Sequence, residues 1–251
     1  IMGKENIQAG DKSLIDRSLK HIYKPLIQSG YKAFCPTLTD LYNDLKAQRQ
    51  ERAHEIALAL ELFATGSMNM FAHPTNVDMS NRLICFNIQS LGDQLKPVAM
   101  LSMLEYINTC VMSNERNDPA AATWVYFDEI YLLLRDQLSA QFLYTSWKRF
   151  RKYNAYATGI TQNVQDCLTN DTAYAMLANS EFVCMLRQTK DIDSVVELYG
   201  LSDPQKNYLK LAKPGQGILK MGNNLIPFVN DHPTNTKIYR LLTTKPGEME
   251  N

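Results

Sequence analysis

Trp124-Val125-Tyr126-Phe127-Asp128-Glu129 is the stretch that decides the fold: four apolar residues in a row, then two acids. An unbroken apolar run suits a strand buried on both faces, as in a parallel sheet, rather than the alternating pattern of a half-exposed strand. A carboxylate in the middle of such a strand would carry a heavy desolvation cost, so the acids belong at its end. That end is the carboxyl edge of the sheet, where ligands bind in open α/β folds. Two readings fit the hexapeptide. In one, the first acid serves a magnesium shell and the second polarises an attacking water, a Walker B pattern. In the other, the acids only complement the N-terminus of the next helix. The six residues alone leave both open.

On either side of it, apolar runs alternate with helical periods. Leu83-Ile84-Cys85-Phe86-Asn87-Ile88 reads as a strand, followed by a helix from about Gln94 to Met112. After the central strand comes a helix from about Ile130 to Lys152, then a strand-like run from Ala155 to Ile160. Glu181 to Leu186 is a fourth run, and Ile192 to Ala212 is mostly helical. The tail from Gly217 to Thr243 suggests short strands or a hairpin around Gly222-Asn223-Asn224. Upstream the reading is helical: Leu14, Ile15, Leu19, Ile22, Leu26 and Ile27 recur at helical steps before a stop at Gly30. Pro36-Thr37 restarts the chain, and a further helix covers Arg52 to Ala64. The expected architecture is α/β: a parallel sheet with helices on both faces over residues 81–251, carrying an all-helical subdomain over residues 4–80.

The totals exclude several classes. Lysine plus arginine and aspartate plus glutamate number 26 each, so no net field draws the chain to nucleic acid or membrane. No apolar run approaches the roughly 18 residues of a membrane span. The five cysteines, Cys35, Cys85, Cys110, Cys167 and Cys184, are odd in number and form no CxxC pair, as expected of reduced cytosolic thiols. Neither the cysteines nor His21, His54, His73 and His232 make a recognisable nucleophile pairing or metal-ligand spacing.

Context separates the two readings of the acidic pair. About twenty residues downstream, Trp147-Lys148-Arg149-Phe150-Arg151-Lys152 closes a helix with a basic cluster. The next strand ends in Thr158-Gly159-Ile160-Thr161-Gln162-Asn163. A polar Thr161-Gln162 there can sense a γ-phosphate and orient water, and a guanidinium at a helix end can reach a neighbouring subunit's phosphate. A solvated helix end and a helix N-cap are the plainer readings of the two clusters. The acids, the basic cluster and the Thr-Gln pair in this order favour the catalytic one.

Asp128-Glu129, Arg151-Lys152, Thr161 to Asp166, Pro214-Gly215-Gln216-Gly217 and Tyr239 to Thr244 together resemble the large ATPase of conjugation and type IV secretion systems, in the version carried by conjugative elements of Gram-positive bacteria. The resemblance implies a RecA-like P-loop NTPase core with an inserted helical lobe, using ATP and magnesium. It implies a ring, usually a hexamer, at the cytoplasmic mouth of a membrane channel, with channel subunits as partners and single-stranded DNA or a relaxase–DNA complex as substrate. By position, Asp128 would serve magnesium through water, Glu129 would be the general base, and Gln162, with Thr161 beside it, the γ-phosphate sensor. Arg151, flanked by Lys152, would be the trans-acting finger. Arg187, past the fourth strand, is a further candidate near the nucleotide, an exposed surface arginine being the competing reading. A DNA-pumping coupling protein and a non-catalytic assembly module of the channel are the alternatives.

The sequence departs from that family in one respect: it contains no GxxxxGK[ST]. The backbone amides and lysine of such a loop cradle the β- and γ-phosphates. The expectation is a fragment of an ATPase whose Walker A segment lies elsewhere, inactive on its own.

Overall fold

The computed structural model describes residues 6–76, 78–79, 81–135, 137–162, 164–168 and 171–244, the side chain of Asp166 excepted. Residues 4, 5, 77 and 80 of the expected helical subdomain, and Asn163 of the Thr-Gln motif, lie outside that set. Contacts divide the chain into one unit ending at Ala99 and a second beginning at Met100.

The first unit is helical: α1 (Asp11–Gln28), α2 (Leu38–Ala47) and α3 (Glu51–Ala64). Each boundary has a local cause. After α1, Gly30 takes φ +65°, the Tyr31 N–H reaches Leu26 O and the Gly30 N–H reaches Ile27 O. These paired bonds satisfy carbonyls the helix would leave orphaned, and the left-handed turn suits glycine. Thr37 opens α2 with a capping box: its hydroxyl accepts from the Asp40 N–H while the Asp40 carboxylate accepts from the Thr37 N–H. The three helices bury Leu14, Tyr42, Leu45, Ala53, Ile56, Ala57 and Ala64 together. A fork of two bonds ties the ends: Arg52 Nε donates to Asp11 Oδ1 at 2.7 Å and Nη2 to Asp11 Oδ2 at 2.6 Å. That guanidinium, with the Gln8 N–H, holds the buried Asp11 carboxyl down at about 2.

Leu83 to Ile88, expected as a strand, is not one. Six residues of strand composition become a strand only beside a neighbour that supplies the ladder, and among the described residues none runs alongside. Leu83 is 90% exposed in consequence.

The second unit holds the sheets. Helix α4 (Lys96–Asn117) runs into it and is followed by β1 (Thr123–Phe127), α5 (Tyr131–Leu134), α6 (Gln137–Phe150), a 3₁₀ turn at Arg151–Tyr153 and β2 (Ala155–Gly159). Strands β1 and β2 pair in parallel, Thr123 against Ala155 through Phe127 against Gly159. Val111 and Ile107 of α4, with Phe150, pack on the face formed by Val125, Ala155 and Ala157. Of the two faces expected to be covered, this is the one that helices cover among the described residues. The opposite face carries Trp124, Tyr126 and Tyr156, all exposed, with the Trp124 and Tyr156 rings stacked 4.6 Å apart.

Then come α7 (Val164–Leu168), α8 (Asp171–Ala178), β3 (Phe182–Met185), α9 (Ile192–Tyr199), α10 (Asp203–Leu211), β4 (Gln216–Met221), β5 (Asn224–Val229) and α11 (Lys237–Leu242). The expected tail hairpin is β4–β5, turning at Gly222-Asn223. The fourth run, β3, does not extend the parallel pair; it lies antiparallel to β4 in a separate three-stranded sheet. That sheet buries Met185 and Ile218 against Ile192, Val195, Leu201 and Leu209 from α9, α10 and the link between them.

Candidate active site

Parallel strands put like ends together, so the turn leaving β1 lies beside the turn leaving β2. The pairing continues past both strands: the Ile160 N–H donates to Phe127 O at 2.8 Å, and the Ile130 N–H to Ile160 O at 3.0 Å. Between those two bonds sit Asp128 and Glu129; immediately after them come Thr161 and Gln162. The carboxyl edge expected from the sequence is therefore a physical place, pinned on both sides by backbone.

Asp128 is exposed, and its Oδ1 accepts the Glu129 N–H at 3.1 Å. Glu129 is half-buried and sits at φ +47°, a left-handed conformation that costs a non-glycine residue on the order of 1 kcal/mol. Its two oxygens differ. Oε1 accepts from Gln162 Nε2 at 2.7 Å, across 33 residues of sequence. Oε2 is buried and has no hydrogen-bond partner among the described residues. A strained residue with an unpaired buried acceptor fits a carboxylate kept for something that arrives from outside.

The close approach beneath this pair depends on Gly159. A Cβ there would lie 2.7 Å from Ile130 Cδ1 and 3.5 Å from Trp147 Cη2. With no side chain at 159, buried Ile130 folds across the end of β2 and fixes the turn that carries Glu129. The sequence offers a signal for this, since a glycine interrupting the apolar run Ala155 to Ile160 marks a close approach.

The remaining candidates are not brought to this edge. Arg151 and Lys152 lie in the 3₁₀ turn before β2, at its amino end. A five-residue strand places them about 13 Å or more from its carboxyl end. Both are exposed, and their side chains make no hydrogen bond or ion pair among the described residues. Arg187 is exposed two residues past β3, a strand of the other sheet. Thr161 is half-buried next to Gln162.

For magnesium and nucleotide the fit is partial and specific. Asp128 supplies a solvent-facing carboxylate and Glu129 an unpaired oxygen at one edge, which suits the water side of a magnesium–phosphate group. Among the described residues, no group of three or more His, Cys, Asp or Glu converges as a closed metal site. His21 Nδ1 is engaged with Asp44 and His54 Nε2 with Gln48 O, both in the helical unit. No described helix is long and apolar enough to cross a membrane.

A family model described as the TraG P-loop domain matches residues 23–241. No curated protein matches the sequence. Among solved structures, VirB4 of Thermoanaerobacter pseudethanolicus superposes with a TM-score of 0.73 at 24% identity, over 91% of this chain and 66% of that one. The likeness supports the RecA-like α/β fold, and the chain spans 66% of the length of that protein.

Proposed function

This chain belongs to the TraG P-loop domain family, and from that premise we propose that it is the hydrolytic edge of an ATPase that drives conjugation or type IV secretion. The observation that carries the reading is Glu129: strained at the end of β1, one oxygen on Gln162, the other buried and unpaired. Bound magnesium–ATP would supply the phosphoryl group and neutralise its charge. Asp128 would hold the metal's water shell. The Glu129 carboxylate would accept the proton of the attacking water, a task worth roughly 10²- to 10⁴-fold in rate. Gln162 would donate to the terminal phosphate.

Arg151 and Lys152, remote from this edge, are suited to a different role. Exposed, and with no side-chain bond among the described residues, they would reach the nucleotide of a neighbouring copy in a ring, a hexamer being the form proposed. Arg187 is proposed only as an exposed surface cation. In this reading the ring sits at the cytoplasmic side of a membrane channel, contacts its subunits, and acts on single-stranded DNA or a DNA–protein complex.

Because the sequence holds no phosphate loop, the chain by itself should turn over ATP poorly or not at all. The test is Glu129→Gln in the full-length protein. Magnesium-dependent ATP hydrolysis should fall by about 100-fold or more, with nucleotide binding retained. Unchanged hydrolysis would leave Asp128-Glu129 a structural pair and favour an assembly module.

A further inference from the structure

Arg151 and Lys152, both exposed, sit on a turn whose neighbours on either side are secured. Phe150 before them is buried, and Tyr153 after them packs with it against Val111 and Ala155. The Tyr153 hydroxyl also accepts from Arg149 Nη2 at 3.3 Å. Then comes Asn154, at φ +47° and ψ +41°, where the chain leaves the turn and enters β2.

Asn154 is a three-way joint. Its Nδ2 is shared between Pro119 O at 3.4 Å and Ala120 O at 3.5 Å, in the loop joining α4 to β1. Its Oδ1 accepts from the Tyr156 hydroxyl at 3.3 Å, and its backbone O accepts from the Thr123 N–H at 3.1 Å. The loop it grips is itself closed, for Asp118 Oδ1 accepts the Ala120 N–H at 3.1 Å and Asp118 O the Ala121 N–H at 3.0 Å. Asparagine is among the few residues other than glycine that tolerate a left-handed backbone. Glycine would meet the same backbone demand and make none of the side-chain bonds. The residue type therefore answers to the grip on the loop as well as to the turn.

A long cationic side chain acts at a distance only as well as its backbone is aimed. A misplacement of about 1 Å, caused far from the chemistry, can cost about 10²-fold in rate. We propose that Asn154 is the positioning residue for the trans-acting cation: by bracing the Arg151–Tyr153 turn against the Pro119–Ala120 loop, it aims Arg151 and Lys152 at the nucleotide of the neighbouring copy. This rests on the proposed ring and on those cations acting in trans, and it adds the part of the fold that directs them. The braced turn and the Glu129 edge are opposite ends of one parallel pair. Bracing the first end holds the cation offered to one site in fixed relation to the base of another.

In the full-length protein, Asn154→Gly keeps the left-handed backbone and deletes the braces. It should fold normally and hydrolyse ATP roughly 10- to 10²-fold more slowly, with the KM for ATP little changed. Asn154→Asp, which keeps the acceptor for Tyr156 and loses the donor to the loop, should slow hydrolysis in the same way. Mixed rings, co-expressed and purified through two tags, separate aiming from general weakening. Asn154→Gly subunits retain the base and lack an aimed cation, while Glu129→Gln subunits retain the cation and lack the base. Rings of these two should hydrolyse ATP faster than either parent. Rings of Asn154→Gly with the double variant Arg151→Ala, Lys152→Ala should show no gain, since neither subunit offers an aimed cation. Normal hydrolysis by Asn154→Gly, no gain with Glu129→Gln, or an equal gain with the double variant would each overturn the proposal. Failure of the underlying reading looks different: the double variant, or Glu129→Gln, would by itself hydrolyse ATP normally, and the proposal would fall with it.

Discussion

Gly159 and Ile130 share a space that admits only one side chain, for a Cβ on Gly159 would lie 2.7 Å from Ile130 Cδ1. Gly159→Ala should therefore destabilise the chain by about 1–2 kcal/mol, the range for overpacking a filled site. Ile130→Val removes the conflicting methyl, so in the Gly159→Ala background it should restore part of that loss instead of adding its own. Urea unfolding of the four combinations reads the coupling. Simple additivity would mean the two residues do not compete.

Glu129 is held at φ +47° with a buried, unpaired oxygen. Glycine takes that conformation without strain, and valine, branched at Cβ, resists it. Glu129→Gly should raise unfolding stability by about 1 kcal/mol, and Glu129→Val should lower it by about the same, while neither supports hydrolysis. Stability lost in both would show that the carboxylate, not the function, requires this backbone.

Acid should act on the helical unit through Asp11. Its carboxyl is held at about 2, first by the Arg52 side chain and then by the Gln8 N–H, against 3.8 for the free group. A lowered folded value means the stabilisation is complete above pH about 4 and lost as pH falls towards 2. Thermal melts of the chain followed by circular dichroism should drop across that window. Arg52→Met should lower stability at neutral pH and flatten the acid dependence.

Tyr199 presents the opposite case. Its hydroxyl is buried without a hydrogen-bond partner among the described residues, and burial pushes its ionisation up to about 12. Stability tied to the neutral phenol is complete below pH 10 and disappears between pH 10 and about 12. Tyr199→Phe should stabilise the chain by about 1 kcal/mol, by removing an unsatisfied polar group. It should also blunt the alkaline loss, read from unfolding midpoints between those two pH values.

The features legible in the sequence are those that depend on neighbours along the chain. Gly30, Pro36-Thr37 and Gly222-Asn223-Asn224 mark real boundaries because turn and cap chemistry is settled within a few residues. Trp124 to Phe127 and Ala155 to Gly159 are recognisable as strands, and their parallel pairing comes from the helices between them. The features that escape depend on partners distant in sequence. Leu83 to Ile88 has the composition of a strand, but no ladder forms beside it in the described residues. Phe182 to Met185 looks like another parallel strand, yet Gln216 to Met221 claims its edge from the other direction. At the candidate site, the residue types of Asp128, Glu129 and Gln162 are legible. The Gln162–Glu129 bond, the strained backbone of Glu129 and the reserved space over Gly159 are not, because each is a matter of register and a few ångströms.

The parallel pair also sorts the protein's two tryptophans. Trp124 lies on the open face, 60% exposed and stacked on Tyr156, while Trp147 lies half-buried behind Gly159 on the covered one. Their emission is thus a built-in optical label with two addresses. Iodide should quench the redder, water-facing component from Trp124 first. Any rearrangement of the turn carrying Glu129 should register in the bluer one from Trp147, so that one unmodified chain reports on both sides of its sheet.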